Sequence, residues 1–384
     1  MKILIIGNSN HQYVINFSKH FKAQYHGNVI IDTISLYTIT NKDVYMYFDK
    51  VYAPHYNVLD RIPKLKHPYR KYVLKKLAKK NFGNYDICHI QSFEKNTEIF
   101  EQIIKAHCKN LIITYWGGDL NFATQRLLNK QKSLNQFASC ITFTNTILLQ
   151  THDRLFPELV YKPKKIVEVG SEPFNELVNI KNNISTKESK NYFLLPQNKL
   201  IIQIGYSGAS FHQHIKILDE LEKLSNEKKA NFFLIVPLTY GLTPKYRKEI
   251  INKLRGINIE YKIFLDFLPD KDLALLRKAT DLFVIMTIND QLCSTLLEHL
   301  YMGNKIIAGD WLPYHIVNEE WGGKITWVKN FTDFADKINS YLENQESIPN
   351  TGNLERHVKP LLYWPDNIKK WINLFDTLIS NKTN

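Results

Sequence analysis

Seven residues separate two acids, Asp290 and Glu298, in the stretch Met286-Thr287-Ile288-Asn289-Asp290-Gln291-Leu292-Cys293-Ser294-Thr295-Leu296-Leu297-Glu298. A carboxylate at a strand end can accept hydrogen bonds from sugar hydroxyls, and one on the following helical turns can bind ribose hydroxyls. The amides of the helix start, from Cys293 through Ser294 to Thr295, can meet a diphosphate. On spacing alone, an ordinary helix with Asp290 capping its start fits better. Upstream, Gly205-Tyr206-Ser207-Gly208-Ala209-Ser210-Phe211-His212-Gln213-His214 carries a strand through a Gly/Ser-rich turn into a helix start. Free amides and the helix dipole favour a phosphate there, with Gly205, Ser207 and Gly208 as contacts and His214 as a further donor. The turn is neither a Walker A sequence nor a GxGxxG fingerprint, and such turns are often glycine-rich for geometry alone.

The first half offers other groups. A general base there would be a carboxylate or an imidazole. Asp119, after Gly117-Gly118, is the first candidate, followed by His11 and His89. Asp119 could instead cap a helix and His89 could be a satisfied core residue.

These residues need a scaffold. Apolar strands alternate with helices from Lys2-Ile3-Leu4-Ile5-Ile6 to Lys165–Val169, and again from Lys199–Ile204 to Lys305–Ala308. That alternation implies parallel sheets covered on both faces. Ligands of such sheets bind at the carboxyl ends of strands. The expected architecture is α/β: two Rossmann-like doubly wound domains facing across a cleft, with the ligand in the cleft. The expected boundaries are 1–178, a polar linker 179–197, a second domain 198–355, and C-terminal helices 356–384 crossing back to the first domain. At 384 residues, two cores are the natural prior.

The formal charge is +13, an excess that attracts polyanions in general. It concentrates between Arg61 and Lys80, where Arg70, Lys71, Lys75, Lys76 and Lys79 alternate with Tyr69, Tyr72, Val73, Leu74 and Leu77. A basic helix with an apolar stripe fits an anionic membrane surface, and equally a solvated helix packing on its own domain. Nucleic acid is not expected as a partner, since no recognised motif accompanies the charge. The four cysteines stand apart without CxxC spacing, so reduced thiols are expected. The apolar start runs straight into Gly7-Asn8, as a strand and turn rather than a signal peptide.

The string Asp290-x7-Glu298, followed by Leu300-Tyr301-Met302-Gly303 and the strand Lys305–Ala308, resembles the donor-site motif of GT-B glycosyltransferases, with Asp where the first acid is usually Glu. Thr114-Tyr115-Trp116-Gly117-Gly118-Asp119 resembles their acceptor-side glycine turn. A narrower resemblance is to glycosyltransferase family 56, which transfers N-acetylfucosamine from its dTDP form to a lipid-linked disaccharide. It is carried by Trp116–Leu120, Gly205–Gly208 with His214-Ile215, Val236-Pro237-Leu238-Thr239-Tyr240, Leu273–Arg277 and Ser294–Leu296. The resemblance implies a dTDP- or UDP-sugar donor held by the residues above with Tyr240, and no metal, because amides and basic side chains can neutralise the leaving diphosphate. It also implies a lipid-linked saccharide acceptor near Gly7, Asn8, Trp116, Gly117 and Gly118. Asp119, His11 and Glu298 would serve catalysis, with a first-domain base required if the transfer inverts configuration, at a cytoplasmic site peripheral to the inner membrane. A nucleotide-sugar epimerase of the same architecture, or a basic nucleic-acid binder, are the competing expectations.

Overall fold

The computed structural model describes residues 1–80, 82–344 and 354–381. Its contacts divide the chain into two units, Met1–Gly170 with Trp364–Asn384, and Ser171–Tyr363.

In the first unit, β1 (Lys2–Gly7), β2 (Ile30–Ser35), β3 (Val51–Tyr52), β4 (Tyr85–Gln91), β5 (Cys108–Tyr115), β6 (Cys140–Phe143) and β7 (Lys164–Ile166) form one sheet. Its order is β3-β2-β1-β4-β5-β6-β7, with every pairing parallel. The side-chain period of two sends Leu4, Ile6, Ile90 and Ile113 to one core and Ile3, Ile5, Ile87 and Ile112 to the other. The second face is closed by the helix Gln12–Gln24 and the terminal helix Trp364–Ser380. There Trp371 meets Phe17 edge-on at 5.5 Å and donates its indole N–H to the Glu168 carbonyl at 3.1 Å. Fully burying Trp364, Trp371 and Phe375 stabilises that face by about 2–3 kcal/mol each. Gly170 is required by close approach, since a Cβ there would lie 2.2 Å from the Trp364 ring.

The second unit repeats the plan with β8 (Leu200–Ile204), β9 (Phe232–Pro237), β10 (Glu260–Phe264), β11 (Leu282–Ile285), β12 (Lys305–Gly309) and β13 (Thr326–Val328). The order β10-β9-β8-β11-β12-β13 is again all parallel. Both sheets therefore have the Rossmann order, which reverses between β1 and β4 and between β8 and β11. Ligands of open α/β sheets sit outside the strand ends at that reversal.

Two expectations need correction. The segment 179–197 is not a linker: the helices Pro173–Asn183 and Thr186–Tyr192 span most of it, and both belong to the second unit. A capping box, in which Ser185 and Glu188 satisfy each other's backbone, starts the second of these. The four cysteines are not all reduced. Cys88 and Cys108 form a disulfide with Cα atoms 5.6 Å apart, while Cys140 and Cys293 are free. Their 20-residue separation matches no disulfide pattern, and only the folding of β4 beside β5 brings them together.

Candidate functional site

At the reversal of the second sheet, β8 ends in Gly205, whose amide donates to the Val284 carbonyl of β11 at 3.0 Å. Gly205 has φ +60°, and a Cβ there would lie 3.1 Å from His212 Nδ1 and 3.2 Å from His214 Nε2. Two imidazoles thus stand over the turn. Gln213, at φ 56°, redirects the chain into the helix His214–Glu222 and anchors to the Met286 carbonyl at 2.7 Å. Ser207 is buried, and its hydroxyl accepts the Ala209 amide at 3.4 Å. The Gly208 amide donates to the Tyr240 carbonyl at 2.8 Å, which pins the turn to the loop after β9.

The histidines are the unusual feature. His212 and His214 are buried, and among the described residues neither His212 nitrogen nor His214 Nε2 has a hydrogen-bond partner. His214 Nδ1 lies 3.4 Å from the Tyr246 hydroxyl. If that hydroxyl donates, the His214 proton sits on Nε2, facing the turn as a donor. Burial lowers the pKa of His212 to about 2 and of His214 to about 4, so both rings are neutral at pH 7. Leaving such buried polar groups unpaired costs about 1–3 kcal/mol each. His212 escaped the sequence reading, although its place two residues before His214 in a Gly/Ser-rich turn was a usable signal.

The paired acids are held by the protein itself. Glu298 Oε1 accepts the Ser171 hydroxyl at 3.1 Å, and Oε2 accepts Arg277 Nε at 3.0 Å. Arg277 Nη1 donates to Gln203 Oε1 at 2.9 Å, and Gln203 Nε2 donates to the Gly205 carbonyl at 2.9 Å. Glu298, Arg277 and Gln203 are all buried. The expected ribose ligand Glu298 is thus the counter-charge of a buried guanidinium, and it braces the Gly205 turn through two intermediates. Asp290 accepts from the hydroxyls of Tyr314 and Tyr206 and, at 3.4 Å, from the Cys293 amide just before the helix Ser294–Met302. It anchors the segment before the helix rather than offering a free carboxylate to a sugar.

Beside this network, Tyr206, Tyr240, Phe267, Leu273, Arg277 and Thr295 line a recess of about 130 Å³. The Tyr240 and Phe267 rings lie parallel within 5°, centroids 5.8 Å apart, and are 46% and 73% exposed. Exposed, co-planar rings at the mouth of a recess offer a stacking surface for a planar heterocycle. Gly205, Ser207, Gly208, His214, Tyr240, Ser294 and Thr295 therefore gather at one end of this sheet. One Asp-x-Asp spacing exists, Asp270-Lys271-Asp272. It occupies the first turn of the helix Asp270–Ala279, where Asp272 accepts from the Tyr192 hydroxyl at 2.8 Å. Acids at that position complement the helix dipole.

In the first unit, Asp119 is not a free base. Its carboxylate accepts the amides of Phe93 at 3.0 Å, Trp116 at 3.1 Å and Gly117 at 2.9 Å, tying the end of β4 to the end of β5. Burial raises its pKa, and those three amides oppose the rise. His89 is likewise structural: buried, it bonds Thr114 at 2.6 Å, and desolvation lowers its pKa to about 3. Gly7 is needed because a Cβ there would lie 2.6 Å from the Gln91 carbonyl oxygen. The Asn8 side chain accepts the Asn10 amide at 3.2 Å and shapes the following turn.

His11 differs. It caps the helix Gln12–Gln24, accepting the Tyr13 amide at Nδ1, and its ring lies 5.0 Å from that of Trp116. It keeps solvent access, yet the surrounding protein desolvates the ring and lowers its pKa. With Nδ1 engaged, the neutral ring carries its proton on Nε2, as a donor. The Trp116 indole N–H is buried without a partner among the described residues. Gly117, with φ 119°, and Gly118 continue the chain into Asp119. Glu94, just past β4, was missed in the sequence: it accepts from the Tyr37 hydroxyl, and burial raises its pKa.

The basic segment is the helix Pro63–Ala78. Only Leu74 and Leu77 are buried in the core, while Leu65 and Tyr72 are 47% and 64% exposed. Lys71, Lys75, Lys76 and Lys79 are exposed. Arg70 is not available to a surface, because its guanidinium grips Asp60 through two bonds, at 2.5 and 2.7 Å, and lies over the Tyr56 ring. No described helix is long and apolar enough to cross a membrane.

No family model matches the sequence, and no curated protein matches it in sequence. Solved structures do match in fold. The chain is similar to sucrose-phosphate synthase from Thermosynechococcus elongatus at TM-score 0.73 and 13% identity, covering 99% of this chain and 100% of that one. A glycosyltransferase from Rickettsia africae matches at TM-score 0.69 and 14% identity, over 99% of each chain. Anabaena HepE, solved in complex with UDP-glucose, matches at TM-score 0.66 and 13% identity, over 98% of this chain and 100% of that one. The chain has the GT-B fold.

Proposed function

We propose that this chain is a glycosyltransferase moving a sugar from a nucleoside diphosphate donor to a lipid-linked saccharide, with the donor held by the second unit. One observation carries the reading: the unpartnered nitrogens of His212 and His214 stand over the Gly205 turn at the sheet reversal. A neutral imidazole N–H there is a ready donor to a diphosphate oxygen. Charge that develops on a leaving diphosphate is stabilised most by donors already fixed in a dry site. The recess beside it suits a pyrimidine base stacked on Tyr240 or Phe267, with Thr295 at its wall. Uridine and thymidine diphosphate sugars, N-acetylfucosamine among them, are the donors proposed. The exposed lysines of the helix Pro63–Ala78 suit an anionic membrane surface on the cytoplasmic face, where a lipid-linked acceptor would lie.

Calorimetric titration with UDP, dTDP and GDP tests the reading on the wild type and the His212→Ala/His214→Ala double variant. Binding of UDP or dTDP is expected, weakened at least tenfold in the double variant. A wild type that binds no nucleotide, or a variant that binds as tightly, sinks the donor site. Sugar transfer to a lipid-linked acceptor, as against donor turnover without one, separates transferase from epimerase.

A further inference from the structure

The recess beside the Gly205 turn is apolar in most of its wall, through Phe264, Leu268, Leu273 and Leu276, yet Arg277 also borders it. Arg277 is only 3% exposed, so its partners are the protein and whatever enters the recess. Glu298 accepts from its Nε and Gln203 from its Nη1. A guanidinium has five N–H donors and keeps its proton. The remaining ones, those of Nη2 included, meet no acceptor among the described residues. Glu298 and Gln203 hold the fork in place, which leaves its unused edge preorganised. Among the described residues no acid lines the recess to take up those donors.

The chemistry of an occupant follows. A buried guanidinium only donates, so it calls for an acceptor. A pyrimidine stacked on the exposed Tyr240 or Phe267 ring joins its ribose through N1, at the mouth, and the atom that reaches deepest is C4, across the ring. Uracil and thymine carry a carbonyl oxygen there, which accepts. Cytosine carries an amine there, which would set donor against donor. A site built to pair a buried polar group rejects the wrong ligand chiefly because that group is left unpaired. The hydroxyls of Thr239 and Thr295, which also line the recess, bond nothing among the described residues and can accept the neighbouring N3–H.

We propose that Arg277 sets the base specificity of this site by donating to the C4 carbonyl oxygen of uracil or thymine. The inference rests on the donor reading, which puts a nucleotide in this recess, and it adds which edge of the base is read and by which group. Arg277 also acts on the turn, since Gln203 holds the Gly205 carbonyl. A change at Arg277 therefore reaches phosphate and base together, and only the ratio between bases isolates the second effect.

Calorimetric titration of the full chain with UDP, dTDP and CDP is the test, on the wild type, Arg277→Lys and Arg277→Met/Glu298→Gln. The wild type is expected to bind UDP and dTDP at least tenfold more tightly than CDP. In Arg277→Met/Glu298→Gln both buried charges leave together and neither is stranded; UDP and CDP affinities should then agree within twofold. Arg277→Lys keeps a cation against Glu298 but loses the planar fork. Its preference for UDP over CDP should drop at least threefold, and it carries the comparison should the double variant fail to fold. Equal affinity of the wild type for UDP and CDP overturns the proposal. So does a uniform loss on all three nucleotides in the variants, which marks an arginine that serves only the structure. Absence of binding by every nucleotide removes the donor reading and this proposal with it.

Discussion

At the scale of single residues, burial separates the groups that serve the fold from those left facing a ligand. Glu298, spaced from Asp290, and Asp119, following two glycines, are the acids expected to serve catalysis, and both have their oxygens occupied by the protein. Spacing locates an acid along an element but says nothing of a guanidinium arriving from another helix, as Arg277 does. Glu298→Gln should therefore lower stability by about 3 kcal/mol, because it leaves a buried guanidinium uncompensated. Urea unfolding measures this; an unchanged midpoint with lost UDP binding would return Glu298 to the ligand. In Asp119→Asn, one carbonyl oxygen cannot serve three amides, and the new NH2 faces N–H groups. A loss of about 2 kcal/mol is expected. A shifted pH–rate profile at unchanged stability would restore Asp119 as a base. His212 was legible only in part, since its orphaned nitrogens are a property of the packed turn.

At the scale of elements, the strands were readable because buried parallel strands are nearly continuous apolar runs, as in Lys2–Gly7 and Leu200–Ile204. The short edge strands β3 and β13 were not, for two or three residues carry no period. Residues 179–197 misled by polarity: their helices are short and half-solvated, so composition imitated a linker while the capping box Ser185-x-x-Glu188 marked a helix start. The basic helix Pro63–Ala78 was legible as an amphipath, yet its apolar stripe is split between core and solvent. Replacing Lys71, Lys75, Lys76 and Lys79 by Ala should reduce binding to anionic vesicles by about three orders of magnitude, at about 1 kcal/mol per lysine. Arg70→Ala should instead lower stability through its lost grip on Asp60. Vesicle sedimentation at low salt checks the first, and equal adhesion to neutral and anionic vesicles would dismiss a membrane role for this face.

At the scale of the whole molecule, the fold carries a collective sensitivity to acid. His89, His152, His212, His214 and His299 are all buried, and desolvation is the largest cause lowering each pKa from 6.5. Each ring stays neutral when folded and takes up a proton in the unfolded chain, so stability is full above pH 6.5 and falls as the pH drops toward the folded values. Between pH 7.5 and 5.5 each contributes a loss of about 1.4 kcal/mol. The first unit holds two of these rings and the second unit three, so the second should lose more. Thermal unfolding at the two pH values is the measurement, and a melting temperature unchanged at pH 5.5 would contradict the burial of these rings. The terminal helix Trp364–Ser380 has a different consequence, one of timing. It closes a face of the first sheet, yet it is made after all of Ser171–Tyr363. At about 5–20 residues per second of synthesis, that is a wait of roughly 10–40 s. Throughout it, Ile3, Phe17 and Phe21 on the nascent chain lack their cover, so the unit begun first at the ribosome is the one completed last.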